Sequence, residues 1–136
     1  KRVYLKDGSY DFSFSGLKTQ VLNYINSERQ AGREINVPDL AASFQESIME
    51  VIADKAISAA TSSGNNKIVV AGGVAANSRL RELLESKGEA AGIEILKPAQ
   101  ILCTDNGAMI ACSAYYQMKK GEFADMSLDA CPGLEF

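Results

Sequence analysis

Lys67-Ile68-Val69-Val70-Ala71-Gly72-Gly73-Val74-Ala75-Ala76-Asn77-Ser78-Arg79-Leu80-Arg81 is the stretch that decides the fold of this chain. The β-branched run from Lys67 to Ala71 suits a buried strand, and the paired glycines close it. Asn77 and Ser78 are both helix N-cap types, and Leu80, Leu83 and Leu84 give the next helix its apolar face, with a stop near Gly88 or Gly92. Ile93 to Leu96 supplies a second short strand before Pro98. This order predicts an α/β fold with a β-α-β unit at about 67–97, its strands parallel and its crossover right-handed. Two strands are too few for a self-sufficient parallel sheet, so the unit reads as the back half of a larger α/β domain.

Upstream, Lys1 to Ser15 mixes Gly8, aromatics and polar residues without a helical period, and reads as an extended entry. Ser15 is placed to cap a first helix over about 16–30, where Leu17, Val21, Tyr24 and Ile25 share a face and Gly32 is the stop. Pro38 and Asp39 mark the start of a second helix extending to about Ser62, with Leu40, Phe44, Ile48, Val51 and Ile52 as its apolar stripe. Downstream, a last helix is expected from about Asp105 to Lys119, with Gly121 ending it. The chain thus divides into an entry and helix (1–36), a helix, β-α-β unit and final helix (37–121), and an acidic tail (122–136).

The 136 residues suffice for one compact domain that buries about two-thirds of its unfolded surface. With 46% hydrophobic and 23% charged residues, the composition excludes disordered and disulfide-framework classes. No apolar run approaches the roughly 20 residues needed to cross a bilayer, and the charged start leads into no signal-peptide core. Cys103, Cys112 and Cys131 are odd in number and form no C-x-x-C pair, which suits reduced thiols and a cytoplasmic setting. The chain contains no histidine, so a Ser-His-Asp triad, a Cys-His dyad and an HExxH zinc site are all impossible within it. The net charge is −3, the pI about 5.0, and residues 122–136 carry four acidic and no basic side chains. Such a balance argues against tight nucleic-acid binding by this segment alone.

Three stretches can carry chemistry. Gly72-Gly73 followed by a helix N-terminus lets backbone N–H groups approach a ligand such as phosphate, although a tight turn capped by Asn77 satisfies the same pattern. In Cys103-Thr104-Asp105-Asn106-Gly107, Asp105 is either an N-cap or a carboxylate aimed at a cation, and Cys103 reads as a small buried hydrophobe. Asp11-Phe12-Ser13-Phe14-Ser15-Gly16-Leu17-Lys18-Thr19 resembles a P-loop ending but lacks its upstream glycine, and Leu17 splits the Gly-Lys pair. Its plain reading is a capped helix anchored by Phe12 and Phe14.

Taken in order and at these separations, DFSFSGLKT (11–19), AGGVAANSRLR (71–81) and CTDNGAMIA (103–111) resemble motifs of the TsaD family, the tRNA adenosine threonylcarbamoyltransferases once labelled glycoproteases. The likeness spans residues 11–121 and matches the C-terminal part of such a protein. It implies a helix-rich partial lobe of the actin/Hsp70/sugar-kinase (ribonuclease-H-like) fold, lacking the first lobe. The family transfers a threonylcarbamoyl group from threonylcarbamoyl-adenylate to the N6 of the adenosine 3′ of the tRNA anticodon, with one iron or zinc ion as template and Lewis acid. By position, Asp105 matches the carboxylate metal ligand, Asn77 the asparagine that contacts the nucleotide, and Gly72 and Gly73 the backbone approach to it. Lys18 and Thr19 match a motif without assigned roles.

Two further metal ligands in the family are histidines of a H-x-x-x-H helix, which this chain lacks. The resemblance therefore implies an inactive fragment whose parent works with tRNA and accessory subunits, and with no membrane. The tail also lacks an arginine that precedes Pro132 in many relatives. Two other readings remain: a related O-carbamoyltransferase lobe, against which SGLKT argues, and a non-catalytic module that self-associates through exposed lobe surface.

Overall fold

Asn36, Asn77 and Asn106 each accept a hydrogen bond on their side-chain oxygen from the backbone N–H three residues on, that of Asp39, Leu80 and Met109 respectively, at 3.3, 3.0 and 3.0 Å. These caps start three of the four helices. In the computed structural model, which describes residues 2–5 and 8–131, the order is α1 (Ser15–Gln30), α2 (Val37–Ser62), β1 (Lys67–Val69), a 3-10 turn (Gly73–Ala76), α3 (Ser78–Ala91), β2 (Glu94–Leu96), a second 3-10 turn (Gln100–Leu102) and α4 (Gly107–Lys120). Each helix is followed by a glycine of positive φ: Gly32, Gly64, Gly92 and Gly121.

The two strands pair in parallel, Lys67 opposite Glu94, Ile68 opposite Ile95 and Val69 opposite Leu96. α3 is the crossover between them, so the β-α-β unit forms as expected. Lys67 and Glu94 also pair across the ladder at 2.7 Å. β1 is shorter than expected, because Val70 and Ala71 leave the ladder after the Val70 N–H donates to the Leu96 carbonyl at 2.8 Å, and β2 starts one residue later, because the Ile93 N–H turns back to the Gly88 carbonyl at 2.8 Å.

The core is the seam of α2 against α3, with β1 and β2 alongside. Met49 and Ala53 of α2 meet Leu80 and Leu84 of α3, and Ile48, Ile52, Ala56, Val70, Leu83 and Ile95 pack around them. At about 2–5 kcal/mol for truncating a buried leucine, Leu80 and Leu84 dominate this seam. Arg79 clasps Glu46 with two bonds of 2.7 and 2.8 Å, adding a polar tie between the same helices.

The N-terminal stretch lies along α2. Arg2 pairs with Glu50, the Tyr4 hydroxyl donates to Asp54 at 2.6 Å, and the Lys55 ammonium donates to the carbonyls of Ser9 and Asp11. Lys87 of α3 reaches the other oxygen of Asp54 at 2.6 Å, so Asp54 joins the entry, α2 and α3. Phe12 and Phe14 stack tilted at 5.3 Å.

Several expectations need correction. Ser15 does not cap α1: it is the first helical residue, Phe14 precedes it, and no side chain caps that end. β1 is not a buried strand. Lys67 and Val69 are exposed, since among the described residues no further strand or helix covers that side of the two-stranded sheet. α4 begins two residues later than expected, because Asn106 rather than Asp105 takes the cap. Gly88 lies inside α3, and Gly92 ends it. Pro132, Gly133, Leu134, Glu135 and Phe136 of the acidic tail, and Lys1, Lys6 and Asp7 of the charged start, lie outside the described residues.

Candidate functional site

β1 and β2 run in the same direction, so the turns that follow them emerge at one edge of the sheet. In open α/β sheets that carboxyl edge is where ligands bind. The turn after β1 carries Gly72, Gly73 and Asn77, and the segment after β2 carries Cys103 and Asp105. The two 3-10 turns pack against each other.

Gly72 adopts φ +87° and ψ 172°, a backbone conformation closed to L side chains. Its carbonyl accepts from the Ala75 N–H at 3.0 Å and so opens the first 3-10 turn. Gly73 is different. Its φ is not positive, and a Cβ built on it would meet nothing within 4 Å. Neither backbone nor neighbours require a glycine there, and the space its missing side chain leaves is open to a ligand.

Asn77 has both ends of its amide engaged. Its oxygen caps α3 at the Leu80 N–H, and its nitrogen donates to the Gln45 Oε1 of α2 at 3.1 Å. A side-chain amide has two N–H donors, which leaves one for a ligand. Beside it, the Arg79 guanidinium holds the Glu46 carboxyl below the usual carboxylate range, against an opposing push from partial burial. Arg79 also bonds Glu82 at 3.0 Å, and its own pKa is raised by the two carboxylates.

Asp105 is exposed, in the short link between the second 3-10 turn and α4. The Asn106 amide nitrogen donates to the Thr104 carbonyl at 2.9 Å, which fixes the backbone on both sides of Asp105. Its carboxylate takes no capping role. Cys103 is buried as expected, with its sulfur 3.1 Å from an Arg81 nitrogen, and all three cysteines are free thiols. Among the described residues, no three His, Cys, Asp or Glu side chains gather into a metal-holding group. Zinc and iron sites use three or four protein ligands, so these residues alone do not fit a whole metal centre.

Lys18 and Thr19 lie on α1. The bonds they make are local to that helix: the Lys18 N–H donates to the Phe14 carbonyl and the Thr19 hydroxyl to the Ser15 carbonyl at 3.2 Å. Leu17 is the buried residue of α1, and with Val21, Tyr24, Leu40 and Phe44 it lines a groove of about 490 Å³ between α1 and α2. Sequence reasoning missed Gln45, Gln100 and Arg81, which pin the two turns. Arg81 stands inside the quoted AGGVAANSRLR motif, but nothing in its spacing distinguishes it from a solvated helix arginine.

Comparison with known proteins decides the family. A family model described as tRNA N6-adenosine threonylcarbamoyltransferase (TsaD) matches residues 1–112. The chain belongs to this family. A tRNA N6-adenosine threonylcarbamoyltransferase from Moorella thermoacetica is 53% identical over 133 residues, covering 98% of this chain and 39% of the relative. Proteins of the same name from Clostridioides difficile and Clostridium perfringens are 51% and 50% identical, covering 98% and 94% of this chain. The chain spans about two fifths of the length of these TsaD relatives. The helix-rich architecture with a small parallel sheet is that of a partial TsaD lobe, and the O-carbamoyltransferase reading is set aside.

Proposed function

We propose that this chain forms part of the ligand-holding lobe of an enzyme that transfers a threonylcarbamoyl group from threonylcarbamoyl-adenylate to the N6 of an adenosine beside the tRNA anticodon. The observation that carries this reading is the shared edge of two parallel strands, one leading to Gly72-Gly73 and the other to Asp105. Gly73 lets backbone come against the adenylate, and the first turn of α3 presents N–H groups toward negative charge. Asn77 offers the nucleotide its second amide N–H. Asp105 contributes one carboxylate to an iron or zinc ion whose remaining ligands come from polypeptide beyond these 136 residues. When bound, that ion polarises the group being transferred. The setting is cytoplasmic, in keeping with three free thiols, and no helix among the described residues is long and apolar enough to cross a membrane. The partners are tRNA and the accessory subunits of threonylcarbamoyl transfer.

In the full-length protein, Asp105→Asn abolishes tRNA modification while leaving the thermal unfolding midpoint within a few degrees, because Asp105 is exposed and caps nothing. Undiminished modification removes Asp105 from the site. The 136-residue chain by itself is catalytically silent and self-associates. A sheet of two strands, with Val69 exposed, and a helix α4 with no buried residue favour that second property.

A further inference from the structure

We propose that Arg81 is a positioning residue that locks the glycine turn and the Asp105 segment into one relative placement; the inference rests on the reading of these two segments as a single ligand edge. Arg81 sits in the first turn of α3, half-buried beneath both segments. Its Nε donates to the Ala75 carbonyl at 2.5 Å, inside the 3-10 turn between Gly73 and Asn77. One terminal nitrogen donates to the Pro98 carbonyl at 2.7 Å and reaches the Cys103 sulfur at 3.1 Å. Pro98 follows β2, and Cys103 is two residues from Asp105. One rigid fork therefore joins the segments that leave two neighbouring strands. The Gln100 amide nitrogen, donating to the Ala76 carbonyl at 3.1 Å, adds a second and weaker tie between the same segments.

The chemistry of the bonds separates Arg81 from its neighbour. Arg79 spends its charge on Glu46 and Glu82. Among the described residues Arg81 forms no ion pair, and its bonds go to two carbonyls and a thiol. Half-burying a cation against neutral acceptors is unfavourable compared with pairing it, so stability alone is a poor reason to keep arginine here. What the guanidinium adds is geometry. Its planar fork presents donors in fixed directions to acceptors on two segments, whereas a lysine ammonium is a point charge on a flexible stem. Turns that leave a sheet have few buried contacts and are among the first parts of a fold to open. Transfer between two bound groups is sensitive to misplacement, and about 1 Å can lower a rate by about 100-fold.

The test is amide hydrogen exchange on the full-length protein, with no ligand, metal or tRNA added. Arg81→Met keeps the apolar stem and removes the fork. The bonded amides of Ala75 and Asn77 in the first segment, and of Leu102 and Cys103 in the second, should then exchange together, each about tenfold faster, as expected for losing charged hydrogen bonds. α2, α3 and the β1–β2 pair should keep their wild-type rates. Arg81→Lys should fall between wild type and Arg81→Met, and Cys103→Ala, which removes only the weakest acceptor, should change both segments less than about threefold. Unchanged segments, acceleration of one alone, or uniform acceleration of the whole chain would each overturn the proposal, the last by showing a purely structural role. In the full-length protein Arg81→Met should lower kcat for tRNA threonylcarbamoylation about 10–100-fold with KM for tRNA unchanged. An unaltered kcat overturns the proposal. A wild-type protein that modifies no tRNA overturns the transfer reading instead, while the exchange result still decides the role of Arg81.

Discussion

Ile93 folds back over Gly88: its N–H donates to the Gly88 carbonyl at 2.8 Å, and its own carbonyl oxygen stands 2.8 Å from where a Gly88 Cβ would be. The Gly92 N–H donates to Glu89 at 3.2 Å in the same turn, so α3 ends in a Schellman motif that aims the chain into β2. Ile95 Cγ1 lies 2.9 Å from the same Cβ position. Gly88 is thus the place where helix and strand come close enough to pack. Gly88→Ala gains roughly 1 kcal/mol of helix propensity but overpacks against a backbone oxygen that cannot rotate away. The expected net loss is about 1–2 kcal/mol in urea unfolding, and a stabilised variant would contradict the close approach.

Asn77 separates a structural task from a ligand-binding one. Asn77→Ala removes the α3 cap and should lower stability by about 1 kcal/mol. Asn77→Asp keeps the capping oxygen and adds favourable charge at the helix N-terminus, but cannot donate to Gln45. Its unfolding midpoint should stay close to wild type. In the full-length protein it should still weaken threonylcarbamoyl-adenylate binding, measured by titration calorimetry. Wild-type affinity in Asn77→Asp would confine Asn77 to capping.

The β-α-β unit and the helix stops were legible because they depend on local chemistry: a β-branched run, leucines at helical spacing, glycines at Gly32, Gly92 and Gly121. Where two adjacent residues offered the same chemistry, sequence could not choose. Asp105 and Asn106 are both cap types, and tertiary placement of the second 3-10 turn gave the cap to Asn106, which freed Asp105. Gly88 and Gly92 both read as stops, and only the return of Ile93 distinguishes them. The apolar stripe of α2 included Ile48 and Ile52 but missed Met49 and Ala53, which form the seam with α3. The Arg81 clasp was invisible, since its acceptors at Ala75, Pro98 and Cys103 meet only when the sheet edge forms.

Tyr4 and Asp54 give the chain a pH signature at both ends of the scale. Partial burial, then the hydrogen bond to Asp54 and the nearby carboxylates, push Tyr4 from 10.0 up to about 12. A group whose folded pKa is raised stabilises the fold below its unfolded value and loses that contribution as pH rises through the folded one. Stability should therefore decline between pH 10 and about 12, and Tyr4→Phe should remove that part of the decline. Burial pushes Asp54 up, but hydrogen bonds from Lys87 and Tyr4 outweigh it and hold the carboxyl below 3.8. Its contribution is complete above 3.8 and is lost as pH falls through the lowered value. Melting temperatures of wild type and Tyr4→Phe across pH 9–12 test the first part, and Asp54→Asn across pH 2–5 the second.

α4 tests self-association. None of its residues is buried, and Ile110, Tyr115, Tyr116 and Met118 are all about half exposed or more. Its N-cap Asn106 and the lysines of its last turn each add to the stability of this helix from within. Exposed apolar residues gathered on one helix, in a chain whose sheet also has unpaired edges, favour contact with a second copy over solvent. Sedimentation of the 136-residue chain should show dimers or larger species that grow with concentration. Ile110→Lys combined with Tyr116→Lys should return it to monomer without lowering the melting temperature, because neither side chain belongs to the α2–α3 core. A wild-type chain that stays monomeric at high concentration would show that this surface is tolerated in water and would remove the self-association proposal.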